Sequence, residues 1–536
     1  MSQQANIAAA PQHFREWVPT WLKAVVALFI LFPVMLINGA YTGSSVDISS
    51  FLGVLSEDIN MAYFAASAGM AISYPIVPIL RPVATTKTII LIVLFAQLGL
   101  SFICATTTYV EVLIVCSFFI GYFKGFSLIE IISILMPIVT PSGTRNEFYS
   151  KFYPISLIIG QLSLVLTAEF AYNYQWQHMY YFMIVLLLIA MLLVVVFMAF
   201  GRRLIRIPYK EIDWYSFFQA SCVMMAIIYV CTYGKTNDWF ASRNIIIATI
   251  SIPVLGWMFI RRQLMSNKRP FVDMSVLKNR NSAVMYLFSF FMMFMASFTT
   301  LSSAYVTSVL RLDATKANEL YLYMIPGIVI GGFACYYLYR RAIRMAWLLF
   351  IGFSCFTLAI ALLYFNVQPE GTYEDLYLPM FLKGIGIVIL YVAIGVYAIQ
   401  GLEPKQLIYN AFFIICSRSA LAPAVALGIM TNWLYRLQQQ NLSVLSESVD
   451  ALNPYASSLY TQTYSSYIAK GLSIEEAKQM ALNTLYGKVQ IQATTVSIKE
   501  ILGYMLIIGI VILVGILLYF FKYRAVRLVK VGQDLS

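Results

Sequence analysis

The feature that most constrains this chain is a set of long runs without a single Asp, Glu, Lys or Arg: 88–110, 179–200, 214–234, 281–310, 345–368 and 501–521. An α-helix rises 1.5 Å per residue, so about 20 mostly apolar residues cross the hydrocarbon core of a bilayer. Each of the six is long enough. Composition agrees: 60% of the 536 residues are apolar and 11% are charged, whereas a soluble domain carries about a quarter charged residues. That excludes an ordinary soluble enzyme, and the hydrophobicity excludes a disordered chain. What remains is an all-α polytopic membrane protein.

Adding the less clean runs gives fourteen helices, at roughly 22–44, 60–80, 88–108, 111–138, 152–172, 179–200, 216–233, 244–260, 283–307, 320–339, 345–366, 377–400, 408–433 and 501–521. Basic residues orient them. With the N-terminus inside, 24 of the 36 Lys and Arg fall in cytoplasmic segments and nine outside, the other three lying within helices. Five of the outer nine belong to one long loop, which the rule weighs little. The acids run the other way, 7 inside and 15 outside. Both tallies predict both termini in the cytoplasm, so the net charge of +12 is topology and no nucleic-acid partner is expected. The polar N-terminus lacks a signal peptide's basic-then-apolar start, so the first hydrophobic stretch is expected to stay as an anchor.

There is no visible equipment for catalysis. The seven cysteines lie in apolar runs without a CxxC, as small buried hydrophobes would. Only His13 and His178 exist, so no His-based metal site and no cofactor is expected. No GxxxxGK[ST] loop occurs for ATP, nor a Ser/His/Asp or HExxH arrangement. One sizeable polar insertion, 434–499, lies outside between the last two helices. Its segment 473–494 opens with Ser473 and Glu476, a capping-box pattern before an amphipathic helix. It reads either as a solvated connecting helix or as a surface for an external partner.

Several stretches resemble the major facilitator superfamily, and within it the fourteen-helix drug:proton antiporters of the EmrB/QacA type. IDWYSF (212–217) resembles the family's Asp-Trp opening of an extra helix pair, and GKTNDWFASRNII (234–246) the loop between those helices. KRPFVDMSVLKNRN (268–281) looks like the linker to the second six-helix half. YNAFFIICSRSALAPAVALG (409–428) resembles the Arg-then-small-residues segment of the thirteenth helix, and 453–497 the outer loop before the last. The likeness spans nearly the whole chain. It departs in PILRPVATTK (78–87) and YRRAIRMAW (339–347), which lack the family's loop acids, and in GQLSLVLTAEF (160–170), which replaces G-P-x-x-G-G. The fourth helix has Lys124 where an Arg is usual.

The resemblance implies a divergent member with a 6 + 2 + 6 plan. Residues 1–200 would form the first six-helix half, 201–281 the two extra helices and linkers, and 282–536 the second half with the periplasmic loop 434–499. It implies a multi-pass inner-membrane transporter that exports amphipathic or hydrophobic small molecules by alternating access, driven by protons. It also implies, for the Gram-negative branch, a periplasmic adaptor and an outer-membrane channel. A lipid or siderophore translocator on the same fold, or a non-transporting scaffold or sensor, are the alternative readings.

Ionisable groups at bilayer depth are costly and tend to face a partner or a water-filled cavity. Five qualify: Lys124, Glu130, Glu169, Lys383 and Arg418. Lys124 sits about 20 Å from either end of its helix, too deep to snorkel. Glu130 is six positions on, roughly 240° around the helix, so the two cannot share one narrow stripe. Arg418, followed by Ser419, Ala420 and Ala422, reads chiefly as a brace in a close helix contact, and Lys383 beside its glycines reads the same way. Glu169 is equally a coupling group or a hydrated carboxylate near a helix end. Glu130 and Glu169 are the proton-coupling candidates on depth, with Asp47, in GSSVDISSF, carried weakly from the resemblance. Phe290, Phe291 and Phe294, with Met292, Met293 and Met295, form a dense run that could line an apolar substrate site or simply pack.

Overall fold

The computed structural model describes residues 13–522 apart from 142, 201–210, 266–269, 342, 448 and 450–452, and omits the side chains of 44, 46, 47 and 520–522. Several basic residues of the orientation tally, Arg202, Arg203, Arg206, Lys210, Lys268, Arg269, Arg524, Arg527 and Lys530, therefore lie outside the described residues. What is described is helical, apart from one isolated bridge between Phe14 and Met198.

The long helices in chain order are α1 (Thr20–Leu36), α2 (Ser56–Ser73), α3 (Thr86–Thr106), α4 (Val110–Val139) and α5 (Arg145–Asn173). Then come α6 (Gln177–Phe197), α7 (Trp214–Tyr233), α8 (Arg243–Met265), α9 (Arg280–Val309) and α10 (Ala314–Arg340). The last are α11 (Met345–Asn366), α12 (Tyr373–Tyr397), α13 (Leu407–Glu447) and α14 (Ile474–Lys522). Twelve are long and apolar enough to cross a membrane; α1, of 17 residues, and α2, of 18, are the remaining two of the series. By the orientation tally, the end of the bundle where α1 begins is the basic end and the opposite end is the acidic one.

The end of the chain differs from the sequence expectation. The insertion 434–499 is largely helical and continuous with the spans: α13 runs on to Glu447, a separate helix covers Pro454–Ala469, and α14 is one helix of 49 residues from the 473–476 cap to the last apolar span. The cap forms as expected. Ser473 N and Oγ donate to Glu476 Oε2 at 3.0 and 2.7 Å, and Glu476 N donates to Ser473 Oγ at 3.3 Å. No proline follows to stop the helix, and a change from polar to apolar residues is no helix terminator. At 1.5 Å per residue α14 is about 70 Å long, more than twice a bilayer core. Its first turns lie beside the extended α13 and the helix Pro454–Ala469.

Three buried clusters make the core. One is drawn from residues between Phe14 and Met198, one from Met285 to Ile516, and one joins α7 to α2, α4 and α13. The α2–α4 seam is set by small residues: a Cβ on Gly121 would lie 1.7 Å from Ala66 O, so only glycine permits this approach. Helix α8 is buried only at Ile245 and Gln263 and packs on α7. The two are forked together where Arg262 Nε and Nη2 donate to Asp213 Oδ2 and Oδ1 at 3.0 and 2.9 Å.

Candidate functional site

A cavity of about 450 Å³ lies between the first six helices and the last six. Its longest wall is one face of α5, carrying Tyr149, Tyr153, Ser156, Gly160, Ser163 and Thr167. These positions are spaced 4, 3, 4, 3 and 4, the repeat that keeps residues on one side of a helix. Polar atoms on such a face avoid lipid only if it meets protein or water. The cavity reaches Arg145 and Leu407 toward the basic end and Tyr41, Thr42 and Thr167 toward the acidic end. Toward the acidic end its walls approach closely: a Cβ on Gly43 would lie 2.2 Å from Leu164 O, and Asn318 Nδ2 of α10 donates to Gly43 O at 3.0 Å.

Lys124 projects from α4 to the end of α1. Its Nζ donates to Met35 O and Ile37 O, both at 2.8 Å. Helix α1 ends at Leu36, so its last carbonyls have no intrahelical partners. An ammonium there completes the backbone hydrogen bonds and offsets the negative end of the helix dipole. The same side chain lines the cavity.

Arg418 stands on a wide π-turn, Cys416–Ala420, inside α13. Pro423 has no N–H for the carbonyl of Ser419, which interrupts the helical ladder just beyond that turn. The guanidinium is 8% exposed and lies over the rings of Tyr153 at 4.9 Å and Tyr391 at 4.3 Å. Its Nε and Nη1 have no hydrogen-bond partner. Asn410, one α13 turn pair away and 1% exposed, accepts from Tyr286 Oη at 2.5 Å. Among the described residues lining the cavity there are three cations, Lys124, Arg145 and Arg418, and no Asp or Glu.

The structure places the other sequence candidates apart from this cavity. Glu130 is 1% exposed and faces Arg81, whose Nε is 3.4 Å from Oε1, while neither carboxylate oxygen has a hydrogen bond. His13 lies near this pair: burial lowers its pKa, the Glu130 charge raises it and the Arg81 charge lowers it. Glu169 is exposed and accepts from Asn173 Nδ2 at 3.0 Å. Asp47 lies in the short helix Ser45–Leu52, its side chain outside the described residues. Lys383 is 5% exposed within the second half, donating to Thr299 Oγ1 at 3.1 Å with Phe298 at 5.3 Å.

Phe291, Met293 and Phe294 pack on the core of the second half, Met292 and Met295 are within it, and Phe290 is half-buried. None of the six is among the cavity-lining residues. The helix turns through about 100° per residue, so a consecutive run of large side chains points in every direction and marks no single wall. The tyrosine wall was the residue set that reading for charge and aromatic density missed. The polar repeat on α5 was the signal for it.

A bundle of spans enclosing a polar cavity between two sets of six helices is the architecture of a membrane transporter. The model of the Major Facilitator Superfamily matches residues 24–426, and the chain belongs to that superfamily. It is a multi-pass inner-membrane protein. Among curated proteins it is similar to the colistin resistance protein EmrB of Acinetobacter baumannii, 23% identical over 309 residues, 56% of this chain and 57% of that protein. It is also similar to the multidrug export protein EmrB of Escherichia coli (strain K12), 22% identical over 276 residues, 50% of each. The matches thus span about half the length of these relatives. Among solved structures, a POT family transporter in complex with 5-aminolevulinic acid aligns with a TM-score of 0.55 at 13% identity, over 78% of this chain and 91% of that one. Peptide transporter POT in complex with sulfate aligns with a TM-score of 0.53 at 14% identity, over 93% and 94%. These likenesses are of fold.

Proposed function

We propose that this protein is a secondary active transporter that exports amphipathic or hydrophobic small molecules across the inner membrane by alternating access, coupled to protons. The observation that carries the reading is the cavity itself, lined by polar and aromatic groups from both sets of six helices. Its size falls within the range of about 300–1,000 Å³ typical of small-molecule sites. The direction is taken from the relative named as a multidrug export protein. The plan is fourteen spans with both termini in the cytoplasm, divided at 1–200, 201–281 and 282–536, and the three buried clusters support that division.

Glu130 is the coupling carboxylate in this reading, ahead of Glu169 and Asp47. It is the one of the three that is buried on a described side chain and has a single ion-pair partner. Protonating it would release Arg81, which joins α2 to α3, and so loosen the basic end. The projecting parts of α13 and α14 supply the surface for a periplasmic adaptor leading to an outer-membrane channel.

The test is uptake into inverted membrane vesicles with an imposed proton gradient, using cationic, neutral and anionic fluorescent amphiphiles. Wild type is compared with Glu130→Gln and Glu169→Gln at matched protein levels. Gradient-driven uptake that survives Glu169→Gln and is lost in Glu130→Gln is expected. Uptake retained in Glu130→Gln removes that residue from coupling. No uptake of any probe by folded protein refutes the transport reading.

A further inference from the structure

Arg418 is more than nine-tenths buried, yet two of its nitrogens donate to nothing. A buried charge is strongly disfavoured unless it is paired and hydrogen-bonded. The tyrosines compensate only partly: the rings of Tyr153 and Tyr391 attract the cation and Tyr153 also hydrogen-bonds it, which still leaves Nε and Nη1 without a partner. The obvious structural remedy, a carboxylate, is missing from the described lining of the cavity. Lys124, on the same cavity, spends two of its three N–H groups on α1 carbonyls and keeps one. The site thus has donors and positive charge in excess, and lacks acceptors and negative charge.

We infer that the cavity is an anion site, in which Arg418 and Lys124 receive the acidic head group of an amphiphile whose apolar body lies along Tyr74, Tyr149 and Tyr391. The ligand class is a small organic acid, a carboxylate or sulfonate with an aromatic or aliphatic body. A guanidinium presents parallel N–H donors that match such oxyanions two at a time. Cationic amphiphiles are repelled by the same three charges. The inference rests on the transport reading for its role but concerns only the charge of what binds.

The test uses the full chain in nanodiscs of zwitterionic lipid, with empty nanodiscs subtracted, and equilibrium dialysis of two probes sharing one ring system. The probes are 8-anilinonaphthalene-1-sulfonate, an anion, and neutral N-phenyl-1-naphthylamine, with ethidium as the cation. Wild type is expected to bind the sulfonate about tenfold or more tighter than the neutral probe, the worth of a charge-assisted contact. Arg418→Met should abolish that preference without changing binding of the neutral probe, and Arg418→Lys should keep part of it. Equal binding of the three probes, tighter binding of ethidium, or a preference unchanged in Arg418→Met overturns the inference. Loss of both naphthyl probes in Arg418→Met assigns Arg418 to bracing and overturns it too. If Arg418→Met does not fold, the wild-type comparison still decides. Adding anionic lipid to the nanodiscs separates sources: displacement of the sulfonate would mean a lipid head group, and would overturn the small-acid assignment. An anion preference without gradient-driven uptake would leave this site standing and remove the transport reading; uptake without the preference would do the reverse.

Discussion

The Arg81–Glu130 pair is lopsided, and the asymmetry makes a quantitative prediction. Glu130 is 1% exposed with no hydrogen bond on either oxygen, whereas the Arg81 side chain is 49% exposed. Arg81→Met leaves a buried carboxylate with its ion-pair partner gone; breaking a buried pair in that way costs about 3–5 kcal/mol. Glu130→Met replaces the buried charge by an apolar side chain of similar size and lets Arg81 turn into water. That exchange costs under about 1 kcal/mol and can stabilise. For a unit the size of one six-helix half, 3 kcal/mol corresponds to a fall of about 6 °C or more in Tm. The assay is thermal unfolding of purified wild type, Arg81→Met, Glu130→Met and the double variant in one detergent. Arg81→Met should melt several degrees lower, and Glu130→Met should stay near wild type. The double variant should recover most of the loss, because the stranded charge is gone. Equal losses in the two single variants, or a double variant that sums them, would refute the account of Glu130 as a carboxylate held only by Arg81.

Three further outcomes follow from local geometry. Gly121→Ala should lower Tm by an amount equivalent to about 1–3 kcal/mol, since its Cβ would meet Ala66 O at 1.7 Å, whereas Gly99→Ala, with nothing within 4 Å, should melt like wild type. His13 is held below its ordinary pKa of 6.5, chiefly by burial, so the folded chain binds fewer protons than the unfolded one. Its contribution is therefore present above that pH and is lost as pH falls through the lower folded value, and His13→Asn should flatten this slope in a Tm-against-pH series. Burial pushes the Asp213 carboxyl up, but the Arg262 and Ser216 hydrogen bonds outweigh it and leave the pKa lowered. The α7–α8 fork thus stabilises above the ordinary carboxylate range and weakens as pH falls below it. Arg262→Ala should raise deuterium exchange at the basic end of α8 with a stability change within about 1 kcal/mol.

Fold class was legible because lipid imposes a length and a charge rule that a sequence displays directly. Runs such as 88–110 and 345–368 fix α3 and α11 to within a few residues. What failed was the far end of the chain. Residues 434–447 and 474–500 are polar, so a hydropathy reading ended the spans there, while neither segment holds a proline and Gly487 lies within the helix without ending it. Hydropathy reports where a helix meets lipid; caps report where it ends, and at α13 and α14 the two differ by several turns.

Depth found the buried charges but could not say what each one meets. Lys124, Glu130, Lys383 and Arg418 are equally plain in the sequence, and equally costly in a membrane if left alone. The structure separates them by partner. Lys124 ends on two carbonyls, Lys383 on a hydroxyl and a ring, and Glu130 on a half-exposed arginine. Each of these is a settlement within the protein. Arg418 is the one of the three cations with donor nitrogens that have no hydrogen-bond partner at all, and they lie on the wall of the central cavity. Burial that satisfied its own charge would have brought a carboxylate into that wall, at the end of α12 or on the polar stripe of α5. Those positions hold Gly395, Ser156 and Ser163 instead. A brace has no use for unfilled donors, whereas a site that must take up and release an anion in turn requires them to be free when it is empty.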